Sequence, residues 1–395
     1  MTKEKVIPQI RFSGFTDTWE QRELGEVVKE VTRNDSTSEA PIMMITANNG
    51  FIEQSERYAF NNAGESLKKY ILLEKGELAY NHGASKLRPY GSCFALTTAE
   101  NARIPFVYHC FSVENQNAEF MSIELNSSEI ENQLRKIVSS GARMDGLLNI
   151  SFDEYSSVSV VLPSIEEQDR IAGFLRNLDR LITLHQRKYD KLTKVKKAML
   201  EKMFPENGSP YPEIRFKGFT DAWEQRKLGE ISESFEYGLN AAATEYDGKH
   251  KYIRITDIDD STHLFLQDDL TSPDIDFSTA DDYLLQEGDV LFARTGASVG
   301  KTYIYRRSDG DLYFAGFLIR AKIKSDYDAD FVFQNTLTDS YDSYIRITSQ
   351  RSGQPGVNAQ EYANFALSVP SLAEQKKIGA YFSHLDSLIT LHQRM

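Results

Sequence analysis

The feature that most constrains this chain is a long internal repeat. The segment IRFSGFTDTWEQRELGE at 10–26 returns as IRFKGFTDAWEQRKLGE at 214–230, identical at 14 of 17 positions. A second pair, PSIEEQDRIAGFLRNLDRLITLHQR at 163–187 and PSLAEQKKIGAYFSHLDSLITLHQR at 370–394, is identical at 14 of 25 positions. The 395 residues therefore contain two copies of one plan, a first phrase, a variable body and a second phrase, which predicts two similar domains.

The second phrase predicts a helix in both copies. Ser164 with Glu167, and Ser371 with Glu374, have the S-x-x-E spacing of a capping box and follow a proline. Apolar residues then recur with heptad-like spacing, which is typical of a helix that packs against another helix. The first helix should end near Met203, before the breakers in FPENGSP. The predicted seam is Ile171, Phe174, Leu178, Leu181, His185, Leu192, Val195 and Met199 in the first copy, and Ile378, Tyr381, Leu385, Leu388 and His392 in the second.

The direction of the chain predicts how these helices pair. The first helix leads from one body to the other and the second leaves the second body, so equivalent seams meet within one chain only if the helices are antiparallel. We therefore expect an antiparallel coiled coil with pseudo-twofold symmetry. The aromatic residues of the first phrase would form a socket for a helix end, the first copy at the end of the second helix. These residues are Phe12, Phe15 and Trp19, and Phe216, Phe219 and Trp223.

The two bodies predict mixed α and β structure, so the fold class is α+β. No glycine-rich dinucleotide loop or regular alternation of strands and helices occurs in the sequence. Strand-like runs lie at 158–163, 289–293, 302–306 and 317–323, and a short helix is predicted at 127–138. The predicted domains are a first globular domain at 1–162, a central helix at 163–205, a second globular domain at 206–369 and a shorter C-terminal helix at 370–395.

The net charge and the absence of targeting signals say less about the class of protein than the internal repeat does. The net charge of −13 argues against a nucleic-acid binder, but residues 163–207 hold 10 basic and 7 acidic side chains, so the acid lies in the two bodies. A total cannot say whether one face of each body is positive, and charge leaves DNA binding open. The N-terminus resembles no signal peptide and no apolar run is long enough to cross a bilayer, so we expect a cytoplasmic protein.

Motifs for catalysis or for a cofactor are weak in this sequence. TGASVGKT at 295–302 lacks one residue of a phosphate-binding loop and precedes a predicted strand where a helix is required. Glu374 to Lys376 superficially suits a nuclease, but helix capping explains that glutamate better. His185 and His392 lie on the predicted seam, where a polar residue more often sets register than binds metal. Cys93 and Cys110 have neither metal nor redox spacing. We therefore expect no enzyme, metal or cofactor in this chain.

Four segments contain no acidic residue, although the chain has 58. Each carries Lys or Arg, and three are rich in the small polar residues that approach phosphates and base edges. The segments are 79–99, 132–144, 290–308 and 343–360. They correspond between the halves, because NHGAS at 81–85 parallels RTGAS at 294–298 and residues 139–149 parallel 350–358. The alternative is that they are ordinary flexible surface loops.

The repeated RFxGFTDxWEQRxLGE and PSxxEQxxI…LDxLITLHQR, with GDVLFARTGASVGK and SQRSGQPGVN, resemble the specificity subunit of a bacterial type I restriction–modification system. The resemblance implies a non-catalytic subunit with two target-recognition domains on a conserved helical spacer, each binding one half of a bipartite, asymmetric DNA target. It implies two methyltransferase subunits that use S-adenosylmethionine to methylate adenine, and restriction subunits that use ATP and magnesium. The candidate DNA-binding residues are Asn81, His82, Ser85, Lys86, Arg88, Arg143, Asn149, Arg294, Thr295, Ser298, Lys301, Gln350, Arg351 and Asn358.

Two alternatives and one departure from the family remain open at this point. A coiled-coil scaffold that binds other proteins without DNA recognition would fit the acidic total, and a lone transcriptional regulator lacks a helix-turn-helix signal. The second helix has about 25 residues against about 40 in the first, which leaves the far end of the coiled coil and one methyltransferase dock open. The outer face of the first helix, with Lys188, Lys191, Lys194 and Lys197, is the expected partner surface.

Overall fold

A computed structural model describes residues 5–47, 50–57, 64–138, 147–205 and 209–393 of the chain. These residues divide into two compact units, Met1–Leu181 and Ile182–Met395. No helix in the described ranges is both long and apolar enough to cross a membrane.

The first unit is built from short strands with few helices, and the pairs between its described strands are all antiparallel. Its sheets have the strand orders β1-β2-β11, β3-β10-β7-β8, β4-β5 and β6-β9, where the strands are β1 Lys5–Val6, β2 Trp19–Glu23, β3 Val28–Glu30, β4 Met43–Thr46, β5 Gly50–Glu53, β6 Ile71–Glu74, β7 Leu78–Asn81, β8 Ser92–Ala95, β9 Asn101–Ile104, β10 His109–Val113 and β11 Ser159–Leu162. Its helices are α1 Gln54–Arg57, α2 Ala118–Glu124, α3 Ser128–Ile137 and α4 Phe152–Ser156, followed by α5 Ile165–Met203, which begins in the first unit and ends in the second.

The second unit repeats this plan. Its sheets have the orders β12-β21, β13-β20-β17-β18, β14-β16 and β15-β19, of which only β15-β19 is parallel among the described strands; the strands are β12 Glu224–Lys227, β13 Ser232–Tyr237, β14 Ala243–Glu245, β15 Lys251–Ile253, β16 Thr271–Pro273, β17 Val290–Ala293, β18 Thr302–Ile304, β19 Leu312–Phe314, β20 Leu318–Ile323 and β21 Ala366–Val369. Its helices are α6 Leu228–Ile231, α7 Ala329–Asn335, α8 Asp339–Thr348, α9 Ala359–Ala363 and α10 Leu372–Gln393.

An inner strand of each unit, β7 and β17, is buried on both faces, which explains the apolar run at 78–80 and the wholly apolar β17. Because successive side chains of a strand point to opposite faces, Leu78 and Tyr80 of β7 pack into one hydrophobic cluster and Ala79 into another. In β17 all four residues are buried, and Val290 and Phe292 belong to a different cluster from that of its other two residues. The predicted α+β class is confirmed, as are the strands predicted around 158–163, 289–293, 302–306 and 317–323 and the helix α3.

The predicted antiparallel pairing of α5 and α10 is confirmed within the second unit. Lys196 Nζ lies 2.6 Å from Asp386 Oδ1, and His185 Nδ1 lies 2.8 Å from His392 Nδ1. Contacts thus move toward the start of α5 as they move toward the end of α10. The two histidines hold the same place in the LITLHQR repeat and face each other on the seam, as the sequence predicted.

The predicted seam of α10 was wrong by one residue at two of its positions. The large apolar residues of α10 that are buried are Ile378, Phe382, Leu385 and Ile389, whereas Tyr381 and Leu388 are half-buried, Tyr381 against the same cluster as Ile378. The spacing of the four buried residues, which is four, three and four, is the heptad spacing of a coiled coil. Of the predicted α5 positions before His185, Phe174, Leu178 and Leu181 are exposed, and Ile171 is half-buried against the core of the first unit. Among the described residues, the polar contact between the two helices that lies nearest the start of α5 is the one between His392 and His185.

The two repeated phrases are joined by an ion pair in each unit. Arg11 donates from Nε and Nη2 to Glu167 at 2.7 Å each, and Arg215 donates to Glu374 at 2.7 and 2.8 Å. Both glutamates lie at the start of a long helix with side chains only 1% exposed. The predicted helix starts are confirmed, since α5 begins directly after Ser164, whose Oγ accepts from Glu167 N at 3.4 Å, and α10 begins directly after Ser371; the carboxylate oxygens themselves bind the guanidinium groups. The ion pair explains why the two phrases recur together.

The aromatic socket is confirmed at Trp223 of the second copy of the first phrase and is wrong for the first copy, while Phe216 packs edge-on against Tyr381 near the start of α10, with ring centroids 6.0 Å apart. Trp223 packs edge-on against Phe204, directly after the end of α5, with ring centroids 6.3 Å apart. Phe12 instead packs edge-on against Phe174, near the start of α5, at 5.5 Å. The hydrogen bond from Arg11 to Glu167 also places the first copy of the first phrase at the start of α5. Residue spacing in the sequence could not reveal this contact.

The histidine pair predicts acid sensitivity of the helix pairing. Burial, followed by the positive charges of Lys188 and His185, lowers the pKa of His392 below 6.5. A depressed histidine pKa means that the unfolded chain binds the proton more readily, so this stabilisation is present above about pH 6.5 and is lost as the pH falls. The melting temperature of the wild type should therefore fall more between about pH 7.5 and about pH 5.5 than that of His185→Gln/His392→Gln. Equal losses would contradict this account.

Candidate nucleic-acid interface

The second unit brings two of the predicted acid-free segments together. Thr295, in the loop between β17 and β18, forms an isolated antiparallel bridge with Gly356, in the loop between α8 and α9. Gly296 N donates to Pro355 O at 3.1 Å, and Val357 N donates to Arg294 O at 2.9 Å. The loops at 294–300 and 350–357 therefore form one joined surface rather than two independent flexible loops.

The first unit joins the corresponding loops in the same way. Gly83, which follows β7, forms an antiparallel bridge with Leu147, and Leu148 N donates to His82 O at 2.9 Å. The acid-free segment 132–144 lies partly outside the described residues. The residues that pair with the loop after β7 are Leu147 and Leu148, a short distance beyond that segment. The same loop pairing thus occurs in both halves, although the loops share little sequence.

Arg294 is the candidate residue best placed to contact a ligand. It is half-buried, and its guanidinium carbon lies 5.1 Å from the ring centroid of Tyr237. Its main chain is fixed on both sides, because Arg294 N donates to Phe317 O at 3.0 Å and Arg294 O accepts from Val357 N. Within the part of the chain that the structure describes, the side chain of Arg294 forms no ion pair. Its charge is therefore held in place and uncompensated.

Two other predicted cations of this unit are already paired with carboxylates. Arg351 Nη2 donates to both carboxylate oxygens of Glu361, at 2.6 and 2.7 Å. Lys301 Nζ contacts the carboxylate of Asp260 and donates to Ile258 O at 3.0 Å. A paired cation gains less from a phosphate than a free one, because the existing partner must first be displaced. These two residues are weaker candidates than Arg294.

The remaining candidates of the second unit are polar residues of the joined loops. Thr295 Oγ1 donates to Pro355 O at 3.4 Å, Ser298 is half-buried and Gln350 is exposed. Asn358 is the N-cap of α9, where its Oδ1 accepts from Glu361 N at 2.9 Å. Thr295, Ser298 and Gln350 lie on or beside the joined surface, whereas Asn358 is occupied in capping a helix.

His82 occupies the core of the first unit rather than its surface. It is 6% exposed, and its Nδ1 and Nε2 lie 2.7 Å from Leu148 O and 2.6 Å from Val107 O. Both ring nitrogens face main-chain carbonyl oxygens, so no ring nitrogen is left for a base. The prediction of His82 as a DNA contact does not fit this position, and we assign it to holding the loops together.

Other candidates of the first unit divide between loop structure and open surface. Asn81 Nδ2 donates to Ile45 O at 3.1 Å, and Arg88 Nη1 donates to Asn126 O at 2.9 Å. Ser85 Oγ accepts from the main-chain N–H of Arg88 at 3.0 Å, and Ser85 is exposed. Lys86 and Asn149 are also exposed, and Arg143 lies outside the described residues.

The structure corrects two correspondences drawn between the halves. Ser151 and Asn358 both form a capping box with the glutamate three residues later, so Asn358 corresponds to Ser151 and not to Asn149. The main-chain oxygens of His82 and Arg294 accept the equivalent bonds from Leu148 and Val357 in the joined loops, so Arg294 corresponds to His82 and not to Asn81. Length differences between the loops shifted the sequence alignment.

In the described part of the chain, no group of three or more His, Cys, Asp or Glu side chains could hold a metal ion. Cys93 and Cys110 are free and buried, and burial raises the pKa of Cys93 to about 12. The predicted strand after TGASVGKT is β18, so that segment lacks the helix of a phosphate-binding loop.

Comparison with known proteins identifies the family. The model of the type I restriction modification DNA specificity domain matches residues 16–194 and again residues 220–395. The chain belongs to this family. Recognition of DNA target sequences is the role of the family, whose members are the non-catalytic components of restriction–modification systems.

Individual relatives are distant. The specificity subunit of the type I restriction enzyme MjaVIII of Methanocaldococcus jannaschii is 21% identical over 283 residues, which cover 70% of this chain and 64% of that protein. The match thus spans less than two thirds of the relative's length. The crystal structure of the type I restriction–modification S subunit from M. genitalium superposes with a TM-score of 0.56 at 14% identity, covering 98% of this chain and 94% of that one. At that identity the likeness establishes the fold alone.

Proposed function

We propose that this chain is the DNA-recognition subunit of a type I restriction–modification complex, acting in the cytoplasm. It binds a bipartite, asymmetric DNA target, one half with each unit, and directs adenine methylation or restriction by partner subunits. The observation that carries the proposal is the same pairing of two loops in each of two units that both match the family; both loops are acid-free in the second unit, and the loop after β7 is acid-free in the first. A scaffold that binds only proteins would not need this surface twice.

The chemistry of the joined loops suits DNA. In the second unit the surface combines the guanidinium of Arg294 with the hydroxyl of Thr295 and the amide of Gln350, groups that bind phosphates and base edges. Arginine held in a fixed direction can bind the O6 and N7 atoms of guanine with two hydrogen bonds. The acid-free segments carry Lys or Arg but no Asp or Glu, so a protein with a net charge of −13 can still present basic loops to DNA.

Partner subunits would bind along α5. Lys188, Lys191, Lys194 and Lys197 are exposed on α5, and Lys191 and Lys194 line a shallow groove of about 450 Å³ together with Val195 and Met199. The exposed apolar residues before His185 extend this surface. Two methyltransferase subunits would bind there, and restriction subunits would join the complex. In this proposal S-adenosylmethionine, ATP and magnesium belong to the partners, and this chain holds none of them.

Selection from random DNA tests the function directly. The chain would be co-purified with the methyltransferase subunit of its host and mixed with duplexes of random sequence, and the bound duplexes would be sequenced. We expect two short specific motifs separated by a fixed number of unspecified base pairs. Binding should weaken steeply with salt, since phosphate contacts release counterions. Failure to co-purify, or binding without sequence enrichment, would contradict the proposal.

A further inference from the structure

Both units contain a β-turn immediately before the strand that pairs with the inner strand β7 or β17. In the second unit Leu318 N donates to Ala315 O at 2.8 Å, directly before β20, which pairs with β17. In the first unit Tyr108 N donates to Pro105 O at 3.0 Å, directly before β10, which pairs with β7. The register of these strand pairs makes the two turns equivalent.

Each of these turns presents an exposed phenylalanine. Phe317 is 60% exposed and Phe106 is 48% exposed. A single exposed apolar side chain is common on protein surfaces and needs no explanation. Here Phe106 is the second residue of its turn and Phe317 the third, so the two units share an exposed phenylalanine at the tip of equivalent turns, although not at the same turn position.

The turns are held rigidly and lie against the joined loops. Phe317 O accepts from Arg294 N at 3.0 Å, and Gly316 N donates to Leu239 O at 2.7 Å. A Cβ at Gly238 would lie 2.3 Å from Ala315 O, so the close approach of the chain to this turn requires glycine. In the first unit Val107 O is bound by the buried ring of His82. Each phenylalanine is therefore displayed on a fixed backbone beside the candidate DNA surface.

A cationic residue lies beside each turn. Lys69 Nζ lies 5.9 Å from the ring centroid of Phe106, and Arg294, whose main chain binds that of Phe317, stacks on Tyr237. An apolar ring on a rigid turn, flanked by positive charge, is suited to DNA, because the cations hold the phosphates while the ring meets the bases.

We propose that Phe317 and Phe106 are base-contacting wedges, each entering one half-site and partly unstacking two neighbouring bases. This rests on the proposed function and adds a contact to it. Insertion would occur most easily at pyrimidine–purine steps, which unstack readily, so the wedges would also contribute to sequence choice. The rigid turn is needed because a mobile loop would yield instead of separating the bases.

Fluorescence of 2-aminopurine tests the wedges in the complex with the methyltransferase. The probe would replace one base at a time through both half-sites of the selected duplex, outside the adenine that is methylated. In the wild type, fluorescence should rise on binding at one or two adjacent positions of each half-site. Phe317→Ala should abolish the rise in the second unit's half-site only and weaken binding about 10- to 100-fold. Phe317→Leu, which keeps an apolar wedge, should retain most of both effects.

Phe106→Ala is the matched control, because it should remove the signal from the other half-site alone. Both side chains are exposed, so neither variant should change the thermal unfolding of the chain. A complex that binds its target specifically but shows no brightened position, or the same brightening in Phe317→Ala, would overturn the wedge and leave the proposed function standing. Absence of specific binding by the wild type would overturn both.

Discussion

Glu374→Ala is expected to lower the free energy of unfolding of the second unit by about 3 kcal/mol, the largest effect of any single substitution considered. The Glu374 side chain is 1% exposed and both of its oxygens are bound by Arg215. Removing one member of such a pair leaves the other charge without its partner in a largely dry site. Since Arg215 keeps 14% of its side-chain surface, water can reach it, which keeps the cost at the lower end of the range for buried pairs.

Tryptophan fluorescence can isolate the second unit in this experiment. The chain has two tryptophans, so a Trp19→Phe background leaves Trp223, which is buried against Phe204, as the reporter. Denaturant unfolding would then be followed with and without Glu374→Ala. Arg226→Ala removes the exposed pair of Arg226 with Glu224 in the same unit and should cost less than about 1 kcal/mol. Equal costs in the two variants would contradict the central place of the Arg215–Glu374 pair.

Arg294→Ala is expected to weaken binding of the selected duplex by about 1–3 kcal/mol, and to relax the requirement at one base pair of one half-site. The guanidinium has no acidic partner in the described residues and is held by Tyr237, so the bond to DNA is made without displacing another one. Competition binding against duplexes with each single base-pair change measures both the loss and its position.

Arg351→Ala is the matched control for this prediction. Arg351 lies in the same joined loops but is bound twice by Glu361, so its removal should weaken binding less and change no base preference. If Arg294→Ala instead weakens every duplex equally, Arg294 contacts phosphate and its assignment to a base is wrong.

Local features of the fold followed from sequence, because they depend on neighbouring residues. The end of α5 at Met203 was predicted from the proline and glycine that follow it, and β17 was predicted from its run of apolar residues. In α10 the sequence predicted Tyr381 and Leu388, but the neighbouring Phe382 and Ile389 are the more deeply buried residues. At each place two apolar residues are adjacent in the sequence. Packing, and not periodicity, decides which of two such neighbours is buried.

Contacts between distant residues could not be predicted in the same way. Arg11 and Glu167 are 156 positions apart, and only the repetition of both phrases hinted that they belong together. Tyr237, which supports Arg294, comes from β13 and was missed because nothing in its own segment points to the loop after β17. His82 was assigned to DNA from the polar segment around it, yet the fold turns it into the core. Phe106 and Phe317 became visible only once the strand register made their turns equivalent.

The division of the chain into domains at 1–162, 163–205, 206–369 and 370–395 stays a prediction. The contact units meet within α5, between Leu181 and Ile182, because a single helix continues from one to the other. The assignment of individual residues to bases or phosphates likewise stays a prediction. Arg294 is the strongest candidate, because Arg351 and Lys301 are already paired with carboxylates.

Methylome sequencing of a host that carries this chain with its methyltransferase, compared with the same host lacking the chain, tests the central claim most directly. The account predicts adenine methylation at a bipartite, asymmetric motif that is present only with the chain. Exchanging the loops of one unit for those of another family member should alter one half of that motif and leave the other half unchanged. Methylation that is independent of the chain, or a motif in which both halves change together, would contradict the claim that each unit recognises its own half-site.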